Sequence, residues 1–161
     1  MHRISPIPLT VQAFADFGDV VETSPKKMFS INEGTTNRFN DLASIDVERD
    51  GGRPMVNIFR GTPYPFPLTI RMMENHPLGS QFFMPLDPFD YLVAVAEAKS
   101  TLMPEDMLVF SCSHKQGGEF QTRSLASSAF SASRTAGLFG DRSGRGRRES
   151  GGTGFGFSDH G

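Results

Sequence analysis

The composition of the chain changes abruptly near residue 110. Residues 111–161 contain no Val, Ile, Met, Pro, Asn or Tyr, yet they hold 11 of the 17 glycines and ten serines. A segment without β-branched aliphatic side chains buries too little apolar surface to offset the conformational entropy lost on folding. The sequence therefore predicts a folded domain over residues 1–112 and a disordered Gly/Ser/Arg-rich segment over residues 113–161.

The charge and the cysteine content narrow the class of protein. Residues 1–110 carry 9 Lys/Arg and 14 Asp/Glu, a net charge of −5, whereas residues 111–161 carry 7 and 4, a net charge of +3. The total of −2 gives no reason to expect nucleic acid or a membrane surface as a partner. Cys112 has no second cysteine to pair with, which is typical of a reducing compartment. The N-terminal residues lack the apolar core of a signal peptide, so we expect a cytoplasmic protein.

The first 110 residues read as a short helix followed by many short strands. Thr10 is a suitable N-cap for a helix over residues 11–17, with Gly18 at its end. Asp50-Gly51 is a hairpin signal, and residues 55–60 alternate, with Met, Asn and Phe on one face and Val, Ile and Arg on the other. The predicted strands are 20–21, 28–32, 40–48, 55–60, 67–73, 81–85, 91–96 and 107–112. Short strands at such spacing indicate a mainly β fold, an antiparallel barrel or sandwich.

Three polar clusters interrupt this pattern. They contain Asn32 with Arg38, then Arg60, and finally Glu74, His76 and Gln81. Taken alone, each residue is more typical of an ordinary turn or a solvated surface position than of a functional site. Side chains two positions apart point the same way on an extended backbone, so the carboxylate of the third cluster is expected beside its imidazole. A histidine near a carboxylate and an amide is a reasonable acid/base arrangement at neutral pH.

Other functional motifs are absent from the sequence or weak. There is no phosphate loop, dinucleotide fingerprint or nucleophile elbow. One further interpretation stays open for the basic tail, which could be a disordered RNA-binding segment; its arginines are Arg142, Arg145, Arg147 and Arg148.

At these clusters the sequence resembles the ureidoglycolate lyase family. The matching stretches are residues 9–22, Ile31-Asn32-Glu33-Gly34 with Arg38, residues 67–70, and His76-Pro77-Leu78-Gly79-Ser80-Gln81. The resemblance implies a partial cupin-like domain over residues 1–112, an antiparallel β-barrel that forms a homodimer. It also implies a carbon–nitrogen lyase of the amidine-lyase type, which cleaves (S)-ureidoglycolate to glyoxylate and urea in allantoin breakdown.

The resemblance also implies roles for the polar residues. His76 would be the acid/base, oriented by Glu74, and Asn32 and Gln81 would hydrogen-bond the ureido or hydroxyl groups. Arg38 or Arg60 would bind the substrate carboxylate, because a guanidinium matches a carboxylate in bidentate geometry. No cofactor and no metal ion are expected.

The chain departs from the family after Gln116-Gly117. Members of the family continue with a Trp-His-His-Pro phrase and two further strands, whereas this chain contains no Trp. The Gly/Arg/Ser bias is typical of a reading frame translated out of register, and we predict a frameshift near codons 112–118. An incomplete barrel would lose apolar burial comparable to the net stability of a domain, ~5–15 kcal/mol. The alternative to an enzyme is therefore an inactive cupin-like remnant or a small-ligand-binding pseudoenzyme.

Overall fold

A computed structural model describes residues 2–129, with the backbone alone for residues 127–129. The fold is mainly β, as predicted, and its helical elements are short. The strands are β1 (Ile7–Pro8), β2 (Gly18–Val21), β3 (Met28–Ile31), β4 (Thr36–Phe39), β5 (Glu74–Asn75), β6 (Gln81–Phe83), β7 (Tyr91–Glu97), β8 (Leu108–Cys112), β9 (Gly117–Phe120) and β10 (Ser124–Ala129). Helix α1 spans Val11–Phe14, and 3₁₀ turns lie at Pro25–Lys27, Arg49–Gly51 and Pro104–Asp106.

The strands form three sheets. The largest has the order β1-β8-β7-β10-β5, the second β2-β9-β6, and the third is the hairpin β3-β4. Neighbouring strands are antiparallel, except that β1 runs parallel to β8. The described strands do not close into a barrel, in agreement with the predicted incompleteness.

Helix α1 begins where the sequence predicts and ends earlier. The Thr10 hydroxyl accepts a hydrogen bond from the amide of Ala13 at 3.1 Å, so the N-cap is formed. Residues 15–17 form a turn instead of continuing the helix to residue 17, and β2 starts at Gly18. Gly18 has a φ of +152°, and a Cβ there would lie 1.8 Å from the carbonyl oxygen of Glu119. Only glycine fits this approach of β2 to β9.

The core lies on both faces of β7, which explains why its sequence is continuously apolar. One face carries Tyr91, Val93 and Val95, and packs against an aromatic group of four buried phenylalanines: Phe14, Phe17, Phe110 and Phe120. The other face packs Leu92, Ala94 and Ala96 against a second buried cluster that contains Met73, Leu102, Met107 and Val109. The predicted strands 91–96 and 107–112 are thus confirmed as the centre of the fold.

The segment between residues 40 and 73 differs from the prediction. The strands predicted at 40–48, 55–60 and 67–73 are wrong, because in the structure these residues form no strand. The Asp50-Gly51 signal produces the 3₁₀ turn Arg49–Gly51 and no hairpin. Alternating apolar residues make a strand only when a second strand lies beside them, and the described residues do not supply one.

The first part of the segment expected to be disordered also differs. Strand β9 pairs with both β2 and β6, and β10 pairs along six residues of β7. The prediction of disorder is therefore wrong for residues 117–120 and 124–129, which form strands beside β2, β6 and β7 despite their composition. Residues 130–161, including the four tail arginines, lie outside the described residues.

No helix among the described residues is long and apolar enough to cross a membrane.

Candidate active site

Glu74 lies in β5, and His76 is the first residue of the loop between β5 and β6. Strand β5 is held by β10, with Asn75 opposite Leu125 in the register. Nε2 of His76 lies 3.5 Å from Oε2 of Glu74, so the two side chains meet as their spacing suggests. The distance is long for a hydrogen bond, and such contacts are commonly loose in the absence of substrate.

Two polar atoms of this loop are buried without a hydrogen-bond partner among the described residues. They are Nε2 of His76 and Oδ1 of Asn75. The His76 ring is half-buried, so the solvent reaches its other atoms while Nε2 is covered. A buried polar atom left unpaired costs about 1–3 kcal/mol, a cost that a closer approach of the Glu74 carboxylate, 3.5 Å away, would remove for Nε2.

The loop is held in place by residues 46–49. Ser80 donates its amide to the carbonyl of Asp46 at 2.8 Å, and the Ser80 hydroxyl accepts the Asp46 amide at 2.9 Å. Arg49 forms an ion pair with Asp46 at 3.2 Å and donates to the carbonyl of Pro77 at 3.5 Å. These contacts fix the backbone on both sides of the turn that follows His76.

Asn32 and Arg38 lie on the β3-β4 hairpin. Asn32 and Glu33 have φ values of 50° and 57°, the left-handed conformation that a tight hairpin turn requires. The Asn32 amide donates to the Thr36 hydroxyl at 3.3 Å, and the Arg38 guanidinium lies over the Phe29 ring, 5.6 Å from its centroid. Within residues 2–129, no hydrogen bond or ion pair connects this hairpin to His76.

Arg60 and Gln81 lie elsewhere. Arg60 forms an exposed ion pair with Asp87 at 3.5 Å, a type of contact that contributes little to stability. Gln81 belongs to β6 and is opposite Phe120 of β9. Of the six residues predicted to form the site, the structure brings Glu74 and His76 into contact, and the roles of all six stay predictions.

Sequence reasoning missed Glu119, a carboxyl group in the centre of the β2-β9-β6 sheet. Its residue is 2% exposed, and its Oε2 has no hydrogen-bond partner among the described residues. Burial raises the pKa of Glu119, and the charges of Asp19 and Asp46 raise it further. Hydrogen bonds from the Ser80 hydroxyl and the Asp19 backbone oppose that shift without reversing it. The sequence of Gly118, Glu119 and Phe120 was not recognised as a strand, because the whole of residues 113–161 was predicted to be disordered.

A second histidine–carboxylate pair was also missed, because its members are far apart in sequence. Asp90 accepts hydrogen bonds from the backbone amide of His114 at 3.0 Å and lies 3.2 Å from its Nδ1. The backbone hydrogen bond, followed by that of the imidazole, lowers the pKa of Asp90. His114 lies in the turn between β8 and β9, Asp90 lies directly before β7, and both side chains are partly exposed.

In the part of the chain that the structure describes, no three His, Cys, Asp or Glu side chains form a group able to hold a metal ion. The expectation that no metal takes part stays a prediction.

Comparison with known proteins gives a consistent result. A family model described as Ureidoglycolate lyase matches residues 1–123, up to the turn before β10. A ureidoglycolate lyase of Burkholderia mallei (strain NCTC 10229) is 56% identical over 98 residues, which are 61% of this chain and 58% of that protein. One of Chelativorans sp. (strain BNC1) is 51% identical over 100 residues, 62% of this chain and 61% of its own. One of Azotobacter vinelandii (strain DJ) is 42% identical over 121 residues, 75% of this chain and 73% of its own.

The chain thus spans about three fifths of the length of the first two relatives. Their shared name agrees with the resemblance seen in the His76–Gln81 stretch.

Proposed function

Since the chain belongs to the ureidoglycolate lyase family, we propose that it cleaves (S)-ureidoglycolate to glyoxylate and urea, a carbon–nitrogen lyase reaction of allantoin and purine breakdown. The observation that carries this proposal is the contact between His76 and Glu74 within the stretch most similar to the family. We further propose a cytoplasmic homodimer.

The reaction needs one proton to move from oxygen to nitrogen. The substrate carbon carries both a hydroxyl group and the urea nitrogen. Neutral His76 takes the hydroxyl proton, the carbonyl of glyoxylate forms, and the carbon–nitrogen bond breaks with its electron pair on the urea nitrogen. The imidazolium then returns a proton to that nitrogen, so a single residue serves as base and acid.

Glu74 orients the imidazole in this scheme. Its carboxylate lies on the Nε2 side of the ring, which leaves Nδ1 to face a substrate. The negative charge of Glu74 also favours the imidazolium that forms after the first proton transfer. Asn32 and Gln81 are the proposed donors and acceptors for the ureido and hydroxyl groups.

Arg38 is a better candidate than Arg60 for the substrate carboxylate. Among the described residues no carboxylate contacts the Arg38 guanidinium, which rests on the apolar face of Phe29. Arg60 already shares its charge with Asp87 at 3.5 Å. A guanidinium whose charge is not neutralised by a protein carboxylate is more available to a carboxylated substrate.

The test is an assay of the full chain with ureidoglycolate, in which glyoxylate is measured as its phenylhydrazone and urea and ammonia are measured separately. We expect equal amounts of glyoxylate and urea. If the folded protein releases no glyoxylate above the uncatalysed rate, the proposal is refuted. Release of ammonia instead of urea would show that the enzyme is a hydrolase and not a lyase.

A pair of histidine variants tests the role of His76. His76→Ala should lower kcat by about 10²–10⁴-fold, the usual contribution of general acid/base catalysis. The matched control is His114→Ala, which removes the other carboxylate-bound imidazole and should leave kcat unchanged. Normal turnover by His76→Ala would exclude this residue from the scheme.

A further inference from the structure

Residues 44–46 are irregular in conformation, yet hydrogen bonds hold them at both ends. At one end, the Ser44 amide donates to Oδ2 of Asp19 at 3.1 Å. At the other end, the Asp46 amide donates to the Ser80 hydroxyl at 2.9 Å, and the Asp46 carbonyl accepts the Ser80 amide at 2.8 Å. We call residues 44–46 the strap, because they connect β2 to the loop between β5 and β6.

The carboxyl group of Glu119 is buried where the two ends of the strap are attached. The Ser80 hydroxyl and the Asp19 backbone amide both donate hydrogen bonds to it. Its Oε2 is nevertheless covered, and it has no hydrogen-bond partner among the described residues. A Cβ at Gly18 would lie 2.9 Å from this oxygen, so the backbone of β2 closes the space on that side. Water therefore reaches Oε2 only if one of the covering segments moves.

The charges around Glu119 favour its neutral form. Burial has the largest effect, and the carboxylates of Asp19 in β2 and Asp46 in the strap act in the same direction. Arg49 is the positive charge of this group, and it is paired with Asp46 at 3.2 Å. An ionised Glu119 would add a further negative charge with one oxygen cut off from water, a state that is relieved when water enters. The strap gives way more easily than β2, because β2 pairs with β9 along four residues.

We propose that Glu119 is a positioning residue for the loop that carries His76, and that it acts through Ser80. While Glu119 is neutral, the strap stays closed and Ser80 holds the backbone of the loop. Once Glu119 is ionised, the strap opens and releases Ser80, so the loop no longer holds His76 in its place beside Glu74. The effect on turnover rests on the proposed function, whereas the opening of the strap does not.

The direction of the pH effect follows from linkage. The closed strap raises the pKa of Glu119 above its ordinary value of 4.5, whereas an open strap lets water solvate the carboxyl. Closure is therefore fully favoured below pH 4.5, and it weakens as the pH rises through the raised pKa. Each unit by which closure raises the pKa allows the population of the open strap to increase by up to about tenfold.

The first experiment measures amide hydrogen exchange of the full chain by NMR, in the parent and in Glu119→Gln, from about pH 5 to about pH 8. The ratio of the two exchange rates is taken at each pH for the amides of Asp46 and Ser80. This ratio should be constant in acid and should rise by about tenfold toward high pH for each unit of raised pKa, because glutamine does not ionise. The Gly34 amide, bonded to the Ile31 carbonyl at 3.2 Å in the β3-β4 turn, is the control, and its ratio should not change with pH.

The second experiment compares the pH profiles of glyoxylate release. The parent should lose kcat as the strap opens toward high pH, and Glu119→Gln should keep it. A merely structural role of Glu119 would instead change kcat by the same factor at every pH. Ser80→Ala removes the link to the loop, so adding Glu119→Gln to it should leave its profile unchanged. The control is Glu105→Gln, at an exposed position, which should keep the profile of the parent.

The outcomes separate the strap from the activity. The buried Leu9 amide, bonded to the Ser111 carbonyl, reports unfolding of the whole domain. If Asp46 and Ser80 are as protected as Leu9 at every pH, the strap never opens by itself and the inference is overturned. An exchange ratio that does not respond to pH would overturn it as well. The expected exchange without glyoxylate release would support the strap and refute the proposed function. Glyoxylate release with identical profiles for the parent and Glu119→Gln would refute the positioning role and leave the proposed function intact.

Discussion

Replacing Glu119 by glutamine should make the protein more stable at neutral pH, and it should make that stability less dependent on pH. Glu119 lies in the middle of a sheet, 2% exposed, and the groups that face it are the Asp19 carboxylate and backbone amide from β2, the Asp46 carboxylate, and the Ser80 hydroxyl before β6. Burial, the largest effect, raises its pKa above the ordinary value of 4.5. A carboxyl whose pKa is raised on folding stabilises the folded state fully below the unfolded pKa. That contribution is lost as the pH rises through the folded pKa.

The magnitude follows from the linkage relation. Each unit by which folding raises the pKa corresponds to about 1.4 kcal/mol of stability lost between pH 4.5 and neutrality. Glutamine has the same shape, can keep a hydrogen bond with Ser80, and never ionises. An ionised carboxyl oxygen that is buried without a hydrogen-bond partner costs about 1–3 kcal/mol, so above the raised pKa the variant should be more stable than the parent by about that amount, or roughly 2–12 °C in Tm.

The assay is thermal unfolding followed by circular dichroism at pH values between 4 and 8. The parent should lose Tm as the pH rises, and the variant should show a flatter profile. Glu105→Gln removes one negative charge at an exposed position and serves as the control. Parallel profiles for the parent and Glu119→Gln would refute the reasoning, because they would mean that the carboxyl titrates alike in the folded and unfolded chains.

Two further substitutions test other parts of the structure. Gly18→Ala should destabilise the protein by roughly 2–3 kcal/mol in urea unfolding, because its Cβ would lie 1.8 Å from the Glu119 carbonyl oxygen. Gly51→Ala, at another positive φ but with nothing within 4 Å, should cost about 1 kcal/mol; equal effects would contradict the proposed collision. Asp90→Asn should lower stability at neutral pH by less than ~1 kcal/mol, since the contact with His114 is exposed. The lowered pKa of Asp90 contributes stability that is present above pH 3.8 and is lost as the pH falls below it. The stability of Asp90→Asn should therefore fall less steeply in acid than that of the parent. An unchanged acid profile would show that the contact with His114 is not the cause of the acid dependence.

The sequence predicted those elements whose signals are local. Thr10, as a suitable N-cap residue, predicts the start of α1. The continuous apolar run of residues 91–96 predicts a strand buried on both faces. The 55–60 segment shows the limit of that reasoning. An alternating pattern indicates that a segment can form a strand, but it does not show whether a neighbouring strand is present. Glu119 shows another limit, since composition averaged over residues 113–161 concealed the short strands that carry it.

The candidate site likewise has one part that the sequence predicts and another part that it does not. The contact of Glu74 with His76 follows from their spacing along an extended backbone. The positions of Asn32, Arg38 and Arg60 depend on how the hairpin and the 53–66 segment are oriented, which no pattern within the sequence determines.

The pairing of β2 with β9 has a consequence for how the chain is made. Gly18 lies opposite Phe120, so a strand near the start of synthesis waits for a partner about one hundred residues later. At ~5–20 residues per second, that delay on the ribosome is about 5–20 s. Ile7, opposite Phe110, waits equally long. Throughout this interval the N-terminal strands of the nascent chain have no partner strand. A product that ends before residue 108 would lack the partners of both β1 and β2, which would leave these segments exposed to chaperones and proteases.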